Sequence, residues 1–330
     1  MNKKVRFGII GCSSIAKKSM IPAIKESHTA DLQMLGSRFE KTAKKFSKEF
    51  SCKNYGSYHE VLENNSVDAV YISLPPQLHE KWIIQAAKAG KHILCEKPAI
   101  LSYTSAKKII KECKKNNVRV MENFAFRLHP QHTKIFEILR KNTLGKIFSF
   151  YGKFGFMLPY SEKNFRFNKK LGGGVFNDVG CYLICASRLI FQNKPSSLFC
   201  DLQYNNSDVD LSGSIYMKFP NNRFAIAAFS YESYFQSTYS IWGTKGHLKV
   251  ERAFNIKKNM PGNIILNTEN KLKKLIIRPS NQFLLLTQNF CKELNSSSPN
   301  FNFEKDLIEQ AQIMDAARKS NLKKRLVEIR

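Results

Sequence analysis

The chain has 330 residues, enough for two domains of ordinary size, and 43% of them are hydrophobic, which excludes wholesale disorder. Lysine and arginine number 53 against 26 acidic residues, for a net charge of +27. The cations are spread over the whole length, with only short clusters such as Lys273-Lys274 and Lys323-Lys324-Arg325. That dispersal argues against a nucleic-acid groove while still drawing in an anionic small substrate.

No apolar run reads as long enough to span a bilayer, and Met1 to Lys4 leads straight into a first strand without a signal peptide. The 8 cysteines form no CxxC pair and no zinc-like spacing, so a cytoplasmic protein with reduced thiols and no metal site is expected.

Val5 to Ile10 is apolar on both faces and predicts a buried parallel strand. Gly11 permits a tight turn, Ser13 or Ser14 can cap a helix, and that helix runs from Ile15 to about Lys25. Gly11-Cys12-Ser13-Ser14-Ile15-Ala16 fits the dinucleotide fingerprint with serine at its second glycine, and its free N–H groups suit a pyrophosphate. Ala30 to Ser37 is a second strand, and Arg38 at its end offers a fork to a 2′-phosphate beside Ser37, which favours NADP over NAD.

Helices over Phe39 to Phe50, Ser57 to Asn64, His79 to Ala89 and Thr104 to Asn116 alternate with strands at Val67 to Ser73, His92 to Cys95 and Val118 to Met121. This is βαβ repetition, hence a Rossmann-type parallel sheet over residues 1–123. From residue 124 to 330 the pattern becomes helix 130–141, strand 146–156, an apolar helix from Val175 to Phe191, then successive strands between 198 and 277 and closing helices 281–294 and 303–320. That predicts an α+β domain with a large, mostly antiparallel sheet open on one face.

Three stretches carry residues that chemistry can use. Cys95-Glu96-Lys97-Pro98 lies just past the carboxyl end of a parallel strand, where ligands bind in open α/β sheets. Glu122 to Pro130, containing Arg127 and His129, spans the proposed domain junction. Gly172 to Tyr182 contains Asp178 and Tyr182, four residues apart and on one helix face. Read alone, Tyr182 in an apolar helix is better explained as a core tyrosine.

Together with Tyr55-Gly56-Ser57-Tyr58, Val67 to Ile72 and Gly90-Lys91-His92, these motifs in this order resemble the glucose–fructose oxidoreductase, inositol dehydrogenase and rhizopine-catabolism (Gfo/Idh/MocA) oxidoreductases. The resemblance implies NAD(P)-linked oxidation or reduction of a sugar-like alcohol, and association of copies through the open sheet. It implies cofactor contacts from Gly11, Cys12, Ser13, Ser14, Ile15, Ser37, Arg38, Ser73, Leu74, Pro75, His79, Glu96 and Lys97.

Tyrosine at 182, where many members carry histidine, resembles the branch with glucose–fructose oxidoreductase, dihydrodiol dehydrogenase and the nucleotide-sugar 3-ketoreductases. By that resemblance Tyr182 is the general acid and Lys97 polarises the substrate oxygen. Asp178 orients the substrate or Lys97, and Arg127 and His129 line the sugar side. A nucleotide-linked keto-hexose is one specific substrate. The rival reading is a non-catalytic NAD(P)-binding regulator of the same fold.

Overall fold

Apolar residues on both strand faces and amphipathic helices between them produce the first sheet. The computed structural model describes residues 3–269, 271–299 and 301–329. Its elements begin β1 (Val5–Ile10), α1 (Ile21–Glu26), β2 (Ala30–Gly36), α2 (Glu40–Phe50), β3 (Asn54–Gly56), α3 (Tyr58–Glu63), β4 (Ala69–Ile72), α4 (His79–Lys88), β5 (His92–Glu96), α5 (Tyr103–Lys115) and β6 (Val120–Asn123). The six strands are parallel in the order β3-β2-β1-β4-β5-β6. Chain order reverses between β1 and β4, so the crevice where ligands bind in such sheets opens at the carboxyl ends of these two strands. Phe7, Ile9 and Ile10 of β1 and all of β4 are buried, as strands covered on both faces must be.

Two compact units divide the described chain, Met1–Ala125 with Phe283–Ile308, and Phe126–Gln282 with Glu309–Arg330. In the first, the segment 283–308 seats Phe290 against Phe7 with ring centroids 6.0 Å apart, and Glu304 pairs with Arg119 at 2.7 Å. Burial of one such phenylalanine contributes about 1.5–3 kcal/mol.

The second unit holds α6 (Pro130–Arg140), β7 (Ile147–Gly155), α7 (Cys181–Phe191), β8 (Ser197–Gln203), β9 (Ser212–Phe219), β10 (Arg223–Ser230), β11 (Gln236–Gly243), β12 (Gly246–Glu251), β13 (Gly262–Thr268) and β14 (Lys271–Ile277). After α8 (Gln282–Asn295) and α9 (Phe303–Lys323), β15 (Val327–Glu328) closes its sheet edge. The nine strands run β14-β13-β12-β11-β7-β10-β9-β8-β15, all antiparallel pairs except β10 with β7. Gly152 of β7 lets Leu183 of α7 approach, since a Cβ there would lie 2.6 Å from the leucine Cδ2.

The apolar helix, Lys169–Phe191 in its longest reading, passes the length and composition test for a membrane span, although no such run is expected from the sequence. Within the fold, 78% of its most apolar window is buried, so it is core. Strands β3 and β15 are absent from the sequence expectations, and β8 and β14 are not singled out within the strands expected between 198 and 277. The first two have only 3 and 2 residues, and β14 is a lysine-rich edge strand whose charges mask its alternation.

Candidate active site

The first unit supplies a phosphate cradle. Gly11 adopts φ +105, and a Cβ there would meet Leu74 Cδ2 at 2.8 Å and the Ser73 carbonyl at 2.9 Å, so only glycine fits. Ser73 donates its hydroxyl to the Gly11 carbonyl at 2.6 Å, and Gly11 N–H bonds the Gly36 carbonyl at 3.1 Å. Ser13 is the cap: its Oγ accepts from Ala16 N–H at 3.1 Å. The helix then opens with a wide turn, Ala16–Met20, in which Ile21 N–H reaches the Ala16 carbonyl. Such turns recur at functional sites. Ser14 and Ile15 are exposed there, and the N–H groups of Cys12, Ser14 and Ile15 have no protein acceptor among the described residues. A pyrophosphate fits this cradle.

At the end of β2 the Arg38 guanidinium is exposed and lies over the Phe39 ring, 4.6 Å from its centroid. Ser37 is buried, and its Oγ accepts from Phe39 N–H at 3.3 Å. Tyr58 stands nearby, its phenol pushed up by burial and touched by the Arg38 backbone. Cys12 gives its thiol to the Gly36 carbonyl, and burial pushes it up to about 12, which makes it an inert thiol.

Lys97 follows β5 through a cis peptide bond to Pro98. Its surroundings are pinned. Glu96 accepts from the Tyr71 hydroxyl and from Asn123 Nδ2, each at 2.6 Å. Burial raises the Glu96 carboxyl, partly offset by Tyr71 and Lys97. Glu122 accepts from Ala99 N–H at 2.8 Å.

His79 is fully buried, with one ring nitrogen 3.0 Å from the Pro98 carbonyl and the other 2.8 Å from the Leu74 carbonyl. Burial lowers it, and a neutral ring donates to only one of these carbonyls. His79, expected among the cofactor contacts, staples the segment carrying Ser73, Leu74 and Pro75 to the Lys97–Pro98 loop.

The second unit holds the remaining candidate residues. Asp210 Oδ2 accepts from Phe176 N–H at 2.5 Å, while Asn177 donates to the carbonyls of Gly172 and Gly173 at 3.1 and 3.2 Å. Gly174, at φ +109, lies where a side chain would strike the Asp210 carboxylate. A second wide turn, Phe176–Gly180, leads into α7, with Cys181 N–H bonded to the Phe176 carbonyl.

Asp178 is nearly buried. Its Oδ2 accepts from Arg166 Nε at 2.6 Å and from the Tyr231 hydroxyl at 3.1 Å. Burial, with Asp178 beside it, pushes Tyr231 far up, so it stays a donor.

Tyr182 is half-buried, its ring walled by Phe126, Phe154 and Phe254 at centroid distances of 5.7, 5.3 and 5.6 Å. Arg127 is half-buried in the turn Ala125–Leu128. His129 is wholly buried and caps α6 by accepting from Gln131 N–H at 3.2 Å; burial lowers it to about 4. His129, expected on the sugar side, thus exposes no surface in this structure.

Sequence reasoning passed over Arg166, Tyr231, Asp210, Tyr71 and Asn123. Each acts through a fold contact that spacing does not encode; Tyr71 and Asn123 lie within the Val67 to Ile72 and Glu122 to Pro130 stretches, and Arg166, Asp210 and Tyr231 lie in none.

Residues 5–124 match the oxidoreductase family with NAD-binding Rossmann fold, and residues 132–249 match the GFO/IDH/MocA C-terminal domain. A dTDP-3,4-didehydro-2,6-dideoxy-alpha-D-glucose 3-reductase of Saccharopolyspora spinosa is 31% identical over 77% of this chain and 76% of its own. The D-xylose 1-dehydrogenase (NADP(+)) 2 of Haloferax volcanii is 30% identical over 88% and 89%. A 3-ketoreductase of Actinomadura kijaniata, solved with NADP and TDP-benzene, superposes with TM-score 0.91 at 28% identity over 96% of this chain and 98% of that one. Solved forms of that enzyme include a tyrosine-to-phenylalanine variant and lysine-to-alanine and lysine-to-glutamate variants.

Proposed function

The chain belongs to the GFO/IDH/MocA oxidoreductases and is an NAD(P)-dependent enzyme acting on CH–OH or ketone groups, and within that activity we propose that it uses NADP on a keto-hexose carried by a nucleoside diphosphate. The reduced cofactor supplies hydride when bound. The chain's own residues do the rest. The Gly11–Ala16 turn offers N–H groups to the pyrophosphate, and Arg38 takes the 2′-phosphate through its planar fork. Lys97 gives its ammonium to the carbonyl oxygen and so favours negative charge there. Tyr182 is the general acid, passing its phenolic proton to that oxygen, and the phenylalanine walls keep water from the ring.

The observation that carries this reading is the setting of Tyr182: half-exposed among three phenylalanines, one helical turn from the fixed carboxylate of Asp178. The sugar class rests on the relatives, two of which act on a dTDP-keto-sugar and on D-xylose. The net charge of +27 suits a diphosphate substrate.

We also assign the open face of the second sheet to contact with another copy. It clusters Phe148, Tyr151, Tyr216, Phe224 and Trp242 at centroid distances of 4.8 to 6.1 Å, with Trp242 49% exposed.

The test is NADPH oxidation with dTDP-3,4-didehydro-2,6-dideoxy-glucose, and NADP reduction with D-xylose. Wild type turns over at least one, and Tyr182→Phe and Lys97→Met each lose about 10²–10⁴-fold in kcat while NADPH still binds. Full turnover in Tyr182→Phe overturns the assignment. Tight NADPH binding with no turnover on either substrate favours a regulator.

A further inference from the structure

We propose that Arg166 is a positioning residue for the acid: it fixes the carboxylate of Asp178, one helical turn from Tyr182. This deepens the reading above and rests on it.

The chain builds a seat for this arginine. Residues 165–167 form a single helical turn, Phe165–Phe167, with Arg166 N–H bonded to Asn164 Oδ1 at 3.2 Å. The glycine-rich loop docks on that turn. Gly174 N–H bonds the Arg166 carbonyl at 2.9 Å. A Cβ on Gly173 would lie 2.5 Å from the Arg166 carbonyl and 2.7 Å from that of Phe165, so a side chain there would push the turn away. The triple glycine, which invites a reading as a ligand loop, thus serves to bring residue 166 against residue 178.

From this seat Arg166 Nε reaches Asp178 Oδ2 at 2.6 Å, and the guanidinium lies 5.0 Å from the Phe165 ring centroid. The Asp178 side chain is 10% exposed and the Arg166 side chain 34%. The same Oδ2 accepts from Tyr231, so the carboxylate is fixed from two directions. A carboxylate buried that deeply needs a cation partner to remain charged. Burial works against the Arg166 charge, but Asp178 more than restores it, and the phenols of Tyr231 and Tyr182 act on it in the same sense. A cation pinned to Asp178, one helical turn from Tyr182, favours the phenolate left when the proton is given up.

The ionisable groups engaged here are Asp178 on the wide turn before α7, Arg166 on the 165–167 turn and Tyr231 just after β10. The aromatic walls of Tyr182 are the uncharged rings of Phe126, Phe154 and Phe254.

The primary measurement needs no substrate. Protein labelled with ¹³C at the tyrosine phenol carbon is titrated by NMR, with the Tyr182 signal assigned by its absence in Tyr182→Phe. In Arg166→Met the Tyr182 midpoint moves to higher pH, and Arg166→Lys restores part of the shift because it keeps the charge and loses the fork. With a substrate that wild type turns over, Arg166→Met lowers kcat by about a hundredfold while the NADPH Kd stays within about twofold, and the double variant Arg166→Met/Asp178→Asn loses no more than Asp178→Asn alone. Should Arg166→Met prove poorly folded, Arg166→Lys and Tyr231→Phe carry the same comparisons.

An unmoved Tyr182 midpoint, or kcat within about threefold of wild type while Tyr182→Phe is dead, overturns the role of Arg166 and leaves the acid assignment standing. An active Tyr182→Phe removes that assignment instead.

Discussion

Lowering the pH from about 7.5 to about 5 should destabilise this protein by about 4 kcal/mol through two histidines that no ligand is needed to explain. His132 lies fully buried between the Tyr239 hydroxyl, 3.0 Å from Nδ1, and the Ala253 carbonyl, 3.4 Å from Nε2. That is the arrangement of a neutral ring with its proton on Nε2. Burial lowers His132 to about 3 and His129 to about 4. Both ionise near pH ~6.5 when unfolded.

Between those values the unfolded chain binds protons that the native chain does not, so stability rises with pH. The contribution is complete above the unfolded pKa and is lost as pH falls from about 6.5 toward the native values. At about pH 5 each histidine costs about 2 kcal/mol, a large part of a typical 5–15 kcal/mol total. His79 is shifted in the same direction and adds with the same sign. Carboxylates titrate mostly below this window.

The assay is urea denaturation at the two pH values for wild type and His129→Asn, since asparagine keeps the cap and removes the titration. The variant should recover about 2 kcal/mol of the loss. Equal pH dependence in the two proteins refutes the reasoning. His132 packs on Phe126 at 5.3 Å, and Phe126 is one wall of Tyr182, so activity lost on acidification should follow the same window.

Replacing Arg38 with alanine should weaken NADPH by about 10–100-fold and leave NADH within about twofold, because a charge-assisted fork contributes roughly 1.5–3 kcal/mol to the 2′-phosphate alone. Equal loss for both cofactors, measured by fluorescence titration, removes that role. On the open sheet face, Trp242→Glu should shift the sedimentation profile toward monomer while turnover per chain is largely kept. An unchanged profile, or a wild type that is already monomeric, refutes association through that face.

Much of the first unit follows from local sequence. Apolar runs such as Val5 to Ile10 mark buried strands because both sheet faces are covered, and Gly11 marks the cradle because its φ of +105 and the 2.9 Å approach of the Ser73 carbonyl admit no side chain. The Asp178–Tyr182 spacing places both residues on one face of a regular helix, whereas the wide turn at 176–180 leaves no mark in that spacing. A histidine's chemistry is legible in the sequence, but its burial is not. Only packing reveals that both nitrogens of His79 face backbone carbonyls and that Nδ1 of His129 accepts from the Gln131 N–H inside the fold.

The segment 283–308 follows the second sheet in the chain but belongs with the first through Phe290 on Phe7, a contact that spacing cannot encode. Sequence alone determined the longer strands, the glycine turn and the identities of the lysine and tyrosine, because each rests on periodicity, on a local backbone need or on a motif. Tertiary structure decided which groups are spent holding others, Ser73 on Gly11 and Arg166 on Asp178, because hydrogen-bond partners are chosen by distance in space.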